Sequence, residues 1–261
     1  MNVDPSTAVR IGVLDVLPLR ERELVDHVDT AWQHGTGGWI VTANVDILRT
    51  AGRDTVAAAL IGNADLVVAD GMPLVWASRI AGTPVPERVT GASLVFSLSG
   101  AAARAGRSVY LLGGKPGVPE AAAETLAEQH PGLRIAGTDS PPLGFQHTEA
   151  TLEPVLHRVR QAEPDLVLVA LGFPKQEHTI RRLRQLWPPA WYVGCGAGIP
   201  MAAGEFRRAP EVMQRMGAEW LHRLAQEPRR LARRYLVDDA PYALRLLAGA
   251  ACTRVRRWGR G

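Results

Sequence analysis

Cysteine is scarce in this chain, and its scarcity excludes two classes of protein. Cys195 and Cys252 are the only cysteines among 261 residues. Two cysteines so far apart in sequence do not form a disulfide framework or a cysteine-rich zinc site. We therefore expect the chain to work in a reducing compartment, and we predict that it is cytoplasmic.

Long apolar segments are also missing. No stretch approaches the ~20 consecutive apolar residues that a membrane-spanning helix needs. The segment Met1 to Arg10 lacks the apolar centre of a signal peptide. The sequence therefore predicts a protein that does not cross a membrane.

Metal-binding patterns are absent as well. The seven histidines form no His-Glu-x-x-His motif, and the chain contains no Asp-x-Asp triplet. We therefore expect no metal ion and no other cofactor. Arginines are the cations that remain available, since only Lys115 and Lys175 among the 30 basic residues are lysines.

Two glycine-rich stretches lack complete nucleotide-binding motifs. Residues 112–117, which include Gly113, and residues 194–198 match neither the Rossmann fingerprint nor a Walker loop. Their glycines are interpreted first as loop residues and second as nucleotide contacts. An NAD-dependent oxidoreductase, which needs the full fingerprint and a later acidic residue, is therefore disfavoured.

The order of apolar segments predicts the fold. Short runs rich in Val, Leu and Ile alternate with longer helical patterns through the first two hundred residues. This alternation predicts an α/β protein with a mostly parallel Rossmann-like sheet flanked by helices. We assign residues 1–205 to an α/β catalytic domain and residues 206–261 to a basic helical appendage. The predicted strands cover residues 39–43, 66–69, 108–112, 133–136, 166–171 and 191–193.

Polar residues follow several of these strands, where parallel sheets bind their ligands. Thr42 and Asn44 close the first strand, and Asp70 closes the second. These residues could form a site, with Asp70 as a general base, or Asn44 and Asp70 could simply cap the following helices. The loop with Gly172 and Gln176 is a third candidate, where sugar hydroxyls or phosphate oxygens could bind.

A series of characteristic segments occurs along the chain from about residue 10 to 240. In order, they are Thr42-x-Asn44, Ala64 to Pro73, Pro86 to Gly91, Leu111 to Gly114, Gly172 to Glu177, Gly204, Arg208 to Pro210, Glu219 to Leu224, Glu227-Pro228 and Arg230 to Tyr235. In these segments the chain resembles the WecG/TagA/CpsF family of glycosyltransferases.

The resemblance implies an inverting, metal-independent transferase. The donor would be a UDP-sugar and the acceptor a sugar on a polyprenyl diphosphate, in cell-surface polysaccharide or teichoic acid assembly. The best-known members transfer N-acetylmannosamine or its uronic acid, and UDP-glucose and UDP-glucuronic acid remain alternative donors. The implied catalytic residues are Asp70, Arg223, Arg230 and Arg233, and the implied substrate-binding residues are Thr42, Asn44, Arg88, Gln176, Gly113, Gly172 and Lys175.

The C-terminal end of the chain is strongly basic. From Trp220 onward it carries ten arginines and only three acidic residues. Such a segment can bind an anionic membrane surface, bind nucleic acid or simply reflect an arginine-rich composition. The implied lipid-linked acceptor favours the membrane, so we predict a peripheral protein at the inner face of the plasma membrane that binds no nucleic acid. A non-catalytic membrane adaptor is the weaker alternative, and monomer and homo-oligomer both remain open.

Overall fold

A parallel sheet forms the centre of the computed structural model, which describes residues 3–206, 209–210, 212–213 and 217–258. An antiparallel hairpin, β1 and β2, precedes the sheet. The strands are β1 Val9–Ile11, β2 Leu14–Val16, β3 Gly38–Ala43, β4 Leu66–Ala69, β5 Ser108–Gly113, β6 Arg134–Asp139, β7 Leu166–Ala170 and β8 Trp191–Gly194.

Helices connect the strands and cover both faces of the sheet. The helices before the C-terminal region are α1 Glu21–Gln33, α2 Val45–Ala51, α3 Thr55–Gly62, α4 Met72–Ile80, α5 Gly91–Arg104, α6 Val118–Gln129, α7 Glu149–Ala162, α8 Lys175–Leu186 and α9 Gly198–Ala202. The C-terminal region contains α10 Glu219–Gln226, α11 Pro228–Ala232, a π-helix Arg233–Asp239 and α12 Ala240–Trp258.

The six strands of the sheet are all parallel, in the order β4-β3-β8-β7-β5-β6. The chain moves outward in one direction from β3 to β4 and in the other direction from β5 to β6. Such a reversal opens a crevice at the carboxyl ends of the strands. The predicted α/β fold with a flanked, Rossmann-like parallel sheet is confirmed.

Alternate residues of each strand belong to two different hydrophobic cores. In β3, Trp39 and Val41 pack into one core and Ile40 packs into the other. In β4, Val67 likewise faces one side and Val68 the opposite side. Side chains point alternately to the two faces of a strand, so a continuous apolar run indicates a strand buried on both faces.

One predicted helix is wrong in its extent. The length of the helical pattern over residues 46–61 predicts a single helix, but the structure has α2 and α3 with a break between them. Gly52 caps the end of α2, and the Asp54 carboxylate accepts a hydrogen bond from the Val56 N–H to begin α3. A glycine and a good N-cap residue so close together favour two short helices.

The C-terminal helices pack against the body with only part of their apolar surface. The spacing of Leu221 and Leu231 predicts a common apolar face. Leu231 is fully enclosed, whereas Leu221 is 46% exposed. On α12, Tyr242 and Leu246 pack against the core and the Tyr242 hydroxyl donates to the Leu48 carbonyl. Within the part of the chain that the structure describes, no helix has the length and apolarity to span a bilayer.

Candidate active site

A cavity of about 890 Å³ lies at the carboxyl ends of the strands. The segment that follows each of the six strands contributes to its wall, and the C-terminal helices cover it from outside. In the order of the sheet, these segments contribute Asp70 and Gly71, Asn44, Cys195 to Ala197, Leu171 to Phe173, Gly114 and Lys115, and Pro141 to Gly144.

Asp70 lies in this cavity directly after β4. Its backbone N–H donates to the Ala43 carbonyl at 2.8 Å, which holds the residue beside the end of β3. The alternative that Asp70 caps α4 is wrong, because α4 begins after Gly71 without a side-chain cap. The nearby backbone N–H of Gly91 favours the charged form of the carboxyl.

The surroundings of Asp70 suit a general base. Burial raises the pKa of its carboxyl to about 6, and the Glu219 carboxylate adds to the increase. Arg88 and Arg223 act in the opposite direction and favour the charged form. A carboxyl with a pKa just below neutrality is mostly ionised at pH 7 and still accepts a proton readily.

Thr42 and Asn44 both line the cavity. Asn44 also caps α2, since its side-chain oxygen accepts from the Ile47 N–H at 3.1 Å. The two interpretations of this residue therefore hold together: the oxygen is used by the helix, and the residue still forms part of the wall. Thr42 is buried at 6% exposure, with its hydroxyl close to Gly91.

Arg88 joins the body to the C-terminal region. Its guanidinium donates to the Glu219 carboxylate at 2.5 Å, and both side chains are largely buried. Glu219 begins α10, and Arg223 one turn later also lines the cavity. The ion pair therefore helps to hold α10 over the cleft.

A second ionic cluster attaches the π-helix to α2. Arg49 contacts Asp46 at 2.5 Å and Asp239 at 3.2 Å. Arg234 lies 3.3 Å from Asp46 and 3.4 Å from Asp239. Two carboxylates and two guanidinium groups thus compensate one another beside the cleft.

The predicted arginines of the appendage differ in their placement. Arg223 faces the cavity, whereas Arg233 is exposed and is not among the lining residues. Its neighbour Arg234 lines the cavity instead. The side chain of Arg230 lies outside the described residues. The family resemblance implied Arg233, and it gave no signal for Arg234.

The loop between β7 and α8 and the first turn of α8 place three predicted residues at the cavity: Gly172, Lys175 and Gln176. The Gln176 side-chain oxygen accepts from the Gly172 N–H at 3.2 Å, and its nitrogen donates to Glu177 at 2.9 Å. Gly113, in contrast, is not among the lining residues, although the following Gly114 is.

Several cavity residues were not among the predicted site residues. Three of them could have been found from the sequence, since Glu219, Trp220 and Glu227 belong to segments that carried the family resemblance. Asp239 gave no such signal. In the described ranges, no group of three or more His, Cys, Asp or Glu side chains could hold a metal ion.

Comparison with known proteins identifies the family. Residues 9–256 match the glycosyl transferase WecG/TagA/CpsF family. The chain belongs to this family. The chain is 31% identical over 224 residues to a Bacillus spizizenii protein named N-acetylglucosaminyldiphosphoundecaprenol N-acetyl-beta-D-mannosaminyltransferase, and the match covers 85% of each chain.

A Bacillus subtilis protein with the same name is 29% identical over 235 residues, which cover 88% of this chain and 89% of the relative. Because the family match spans the sheet and the C-terminal helices, it covers both parts of the cavity wall. The chain is therefore a glycosyltransferase.

Proposed function

We propose that this member of the WecG/TagA/CpsF family transfers N-acetylmannosamine, or its uronic acid, from a UDP-sugar to N-acetylglucosamine on a polyprenyl diphosphate. The names of the two Bacillus relatives support the sugar and the acceptor. The product would extend a cell-surface polymer. The observation that carries the proposal is Asp70, a carboxyl with a raised pKa at the wall of a large cleft that arginines also line.

Asp70 is the general base of the proposed reaction. Its carboxylate takes the proton of the acceptor hydroxyl as the hydroxyl oxygen attacks the anomeric carbon. The bond from that carbon to the UDP oxygen breaks, and its electron pair remains on the leaving diphosphate. A single displacement of this kind inverts the anomeric centre and needs no covalent enzyme intermediate. General-base assistance of this type contributes roughly 10²–10⁴-fold in rate.

Arginines are proposed to stabilise the leaving group without a metal ion. Arg223 lies in the cleft and acts electrostatically on Asp70, so it is close to the reacting groups. Guanidinium groups bind phosphate oxygens in a fixed fork geometry, and their charge is permanent. Arg230 and Arg233 remain candidates for the same role.

The proposed location is the inner face of the plasma membrane. A polyprenyl diphosphate is anchored in the bilayer, so the enzyme must approach the membrane surface. The exposed arginines of α12, such as Arg245 and Arg254, would contact anionic lipid headgroups.

A transfer assay with matched variants tests this function. Purified protein is incubated with EDTA, a short-chain prenyl-diphosphate N-acetylglucosamine and UDP-N-acetylmannosamine, its uronic acid, UDP-glucose or UDP-glucuronic acid. We expect transfer from the N-acetylmannosamine series, with an inverted anomeric configuration by NMR. Transfer only from UDP-glucose or UDP-glucuronic acid would show that the proposed donor sugar is wrong. A strict need for added metal would refute metal independence.

Asp70→Asn should lower the transfer rate at least a hundredfold. Asp54→Asn is the matched control, because it makes the same chemical change at the N-cap of α3 and asparagine can still cap that helix. Transfer by Asp70→Asn at the wild-type rate would rule out Asp70 as the base.

A further inference from the structure

A buried carboxyl group lies directly behind the cleft. Glu177, in the first turn of α8, is 1% exposed and is not among the residues that line the cavity. One of its oxygens accepts from the Gln176 side-chain nitrogen at 2.9 Å. In the described structure, its other oxygen is enclosed without a hydrogen-bond partner. Such burial is unfavourable for an acid and raises the pKa of Glu177 to about 7.

The neighbouring Gln176 does line the cleft, and its amide has contacts on both sides. The oxygen accepts from the Gly172 N–H, and the nitrogen donates to Glu177. A side-chain amide can be placed in two orientations that exchange oxygen and nitrogen. A backbone donor on one side and a carboxylate acceptor on the other favour only one of these orientations.

The backbone around this pair leaves room for it. A Cβ atom at Gly194, at the end of β8, would lie 2.5 Å from the Gln176 nitrogen and 3.2 Å from a Glu177 oxygen. The glycine therefore allows both side chains to pack against β8. A negatively charged side chain near a helix N-terminus interacts favourably with the helix dipole. An exposed glutamate would make the same interaction without losing its contact with water. The helix dipole alone does not explain why Glu177 is buried against Gln176.

We propose that Glu177 is a positioning residue, which fixes the Gln176 amide so that its remaining N–H group serves the substrate as a hydrogen-bond donor. The ligand of this donor is a sugar hydroxyl or phosphate oxygen of the UDP-sugar, so this part rests on the proposed function. Glu177 itself does not touch the substrate. Loss of its carboxyl allows the Gln176 amide to turn and present the wrong group.

The first experiment needs no ligand and tests the contact between the two side chains. Protein labelled with ¹⁵N-glutamine is compared as wild type, Glu177→Met and Glu177→Gln, with the Gln176 amide signal assigned through Gln176→Met. Methionine matches glutamate in length and fills the space without an oxygen. We expect Glu177→Met to move the signal towards that of exposed glutamines and Glu177→Gln to restore most of its position. An unmoved signal in a folded Glu177→Met protein would overturn the proposal.

If Glu177→Met does not fold, Gln176→Met tests the same contact from the other side. Removing the amide donor should raise the pH at which the Glu177 carboxyl titrates, followed by ¹³C NMR. An unchanged titration would refute the contact.

The second experiment measures UDP affinity by calorimetry in a double-mutant cycle. Glu177→Met and Gln176→Met should each weaken binding roughly tenfold, the double variant should be no weaker than Gln176→Met alone, and Glu177→Gln should recover most of the affinity. Additive losses would show that Glu177 acts only through stability and would overturn the proposal. If wild type binds no UDP while the amide signal still responds to Glu177→Met, the UDP donor is wrong but the positioning of Gln176 stands.

Discussion

Arg88 and Glu219 form a buried ion pair across 131 residues of sequence. Arg88 belongs to the loop that follows α4, and Glu219 is the first residue of α10. Both charges act on Asp70, Arg88 lowering and Glu219 raising the pKa of its carboxyl. The contact that attaches the C-terminal helices to the body therefore also adjusts the proposed base.

Opposite changes in the pH profile should follow when either partner loses its charge. Glu219→Gln removes a negative charge near Asp70, so the acidic limb of kcat/KM should move to lower pH, by about half a unit. Arg88→Met removes a positive charge, so the limb should move to higher pH. The measurement is the transfer rate between pH 5 and 8. Glu149→Gln, at a largely exposed carboxylate, is the control and should leave the limb in place. A shift in the same direction in both variants would contradict this electrostatic assignment.

The wild-type enzyme should lose activity on the acidic side of pH 6. The folded pKa of Asp70 is about 6, so the base becomes protonated as the pH falls through this value. We expect kcat/KM to rise with pH through about 6 and to level off above about 7. Rates measured in overlapping buffers at constant ionic strength test this expectation. If kcat/KM does not change between pH 5 and 8, the rate does not depend on the ionisation of Asp70.

Asp70→Asn should make the protein more stable at pH 7.5. The folded pKa of about 6 lies above the ordinary value of 3.8, so the folded state binds this proton more tightly than the unfolded state. The contribution of Asp70 to stability is therefore most favourable below pH 4 and is lost as the pH rises through 6. Removing the ionisable group should raise the free energy of unfolding by about 3 kcal/mol at pH 7.5.

Urea unfolding at pH 7.5 and pH 4 provides the measurement for this variant. The difference between Asp70→Asn and wild type should shrink at pH 4, where the wild-type carboxyl is largely neutral in the folded protein. A variant that is less stable than wild type at pH 7.5 would argue against a desolvated carboxylate at this position.

The ionic cluster around Asp239 should control the attachment of the π-helix. Asp239→Asn leaves Arg49 and Arg234 with Asp46 as the remaining carboxylate of the cluster. Because removing one partner of a buried ion pair is strongly unfavourable, trypsin should cleave the C-terminal region roughly tenfold faster. Asp238→Asn makes the same change at the preceding residue, and trypsin should cleave this control variant at the wild-type rate. Equal cleavage of the two variants would show that the cluster does not hold this region.

The sequence predicted the sheet because each strand carries an apolar run that a polar residue or glycine ends. The run from Leu66 to Ala69 was predicted within its observed bounds, and Asp70 after it lies in the cavity as expected. These features are local, so a reading of consecutive residues detects them. The hairpin of β1 and β2 was not predicted, because in strands of three residues the alternation of apolar and polar side chains is too short to be recognised.

The covering of the cleft could not be predicted from local patterns. The pair of Arg88 and Glu219 joins distant segments, and no periodicity indicates which acid an arginine will contact. Arg233 was implied by the family resemblance, and no local pattern indicated that the neighbouring Arg234 would line the cavity. Both features depend on tertiary contacts that form only when the C-terminal region docks.

The outer surface of α12 should bind anionic membranes. Arg245 and Arg254 are exposed on this helix, together with Val255 at 70%. Each arginine near an anionic surface contributes about 1 kcal/mol, so Arg245→Gln/Arg254→Gln should weaken binding to phosphatidylglycerol vesicles roughly thirtyfold. High salt should weaken wild-type binding as well, because it screens these charges. The control is Arg104→Gln/Arg134→Gln, which removes the same charge from exposed residues near the amino ends of β5 and β6, opposite the cleft. If both double variants lose the same affinity, the surface of α12 is not the binding face and net charge alone governs the association.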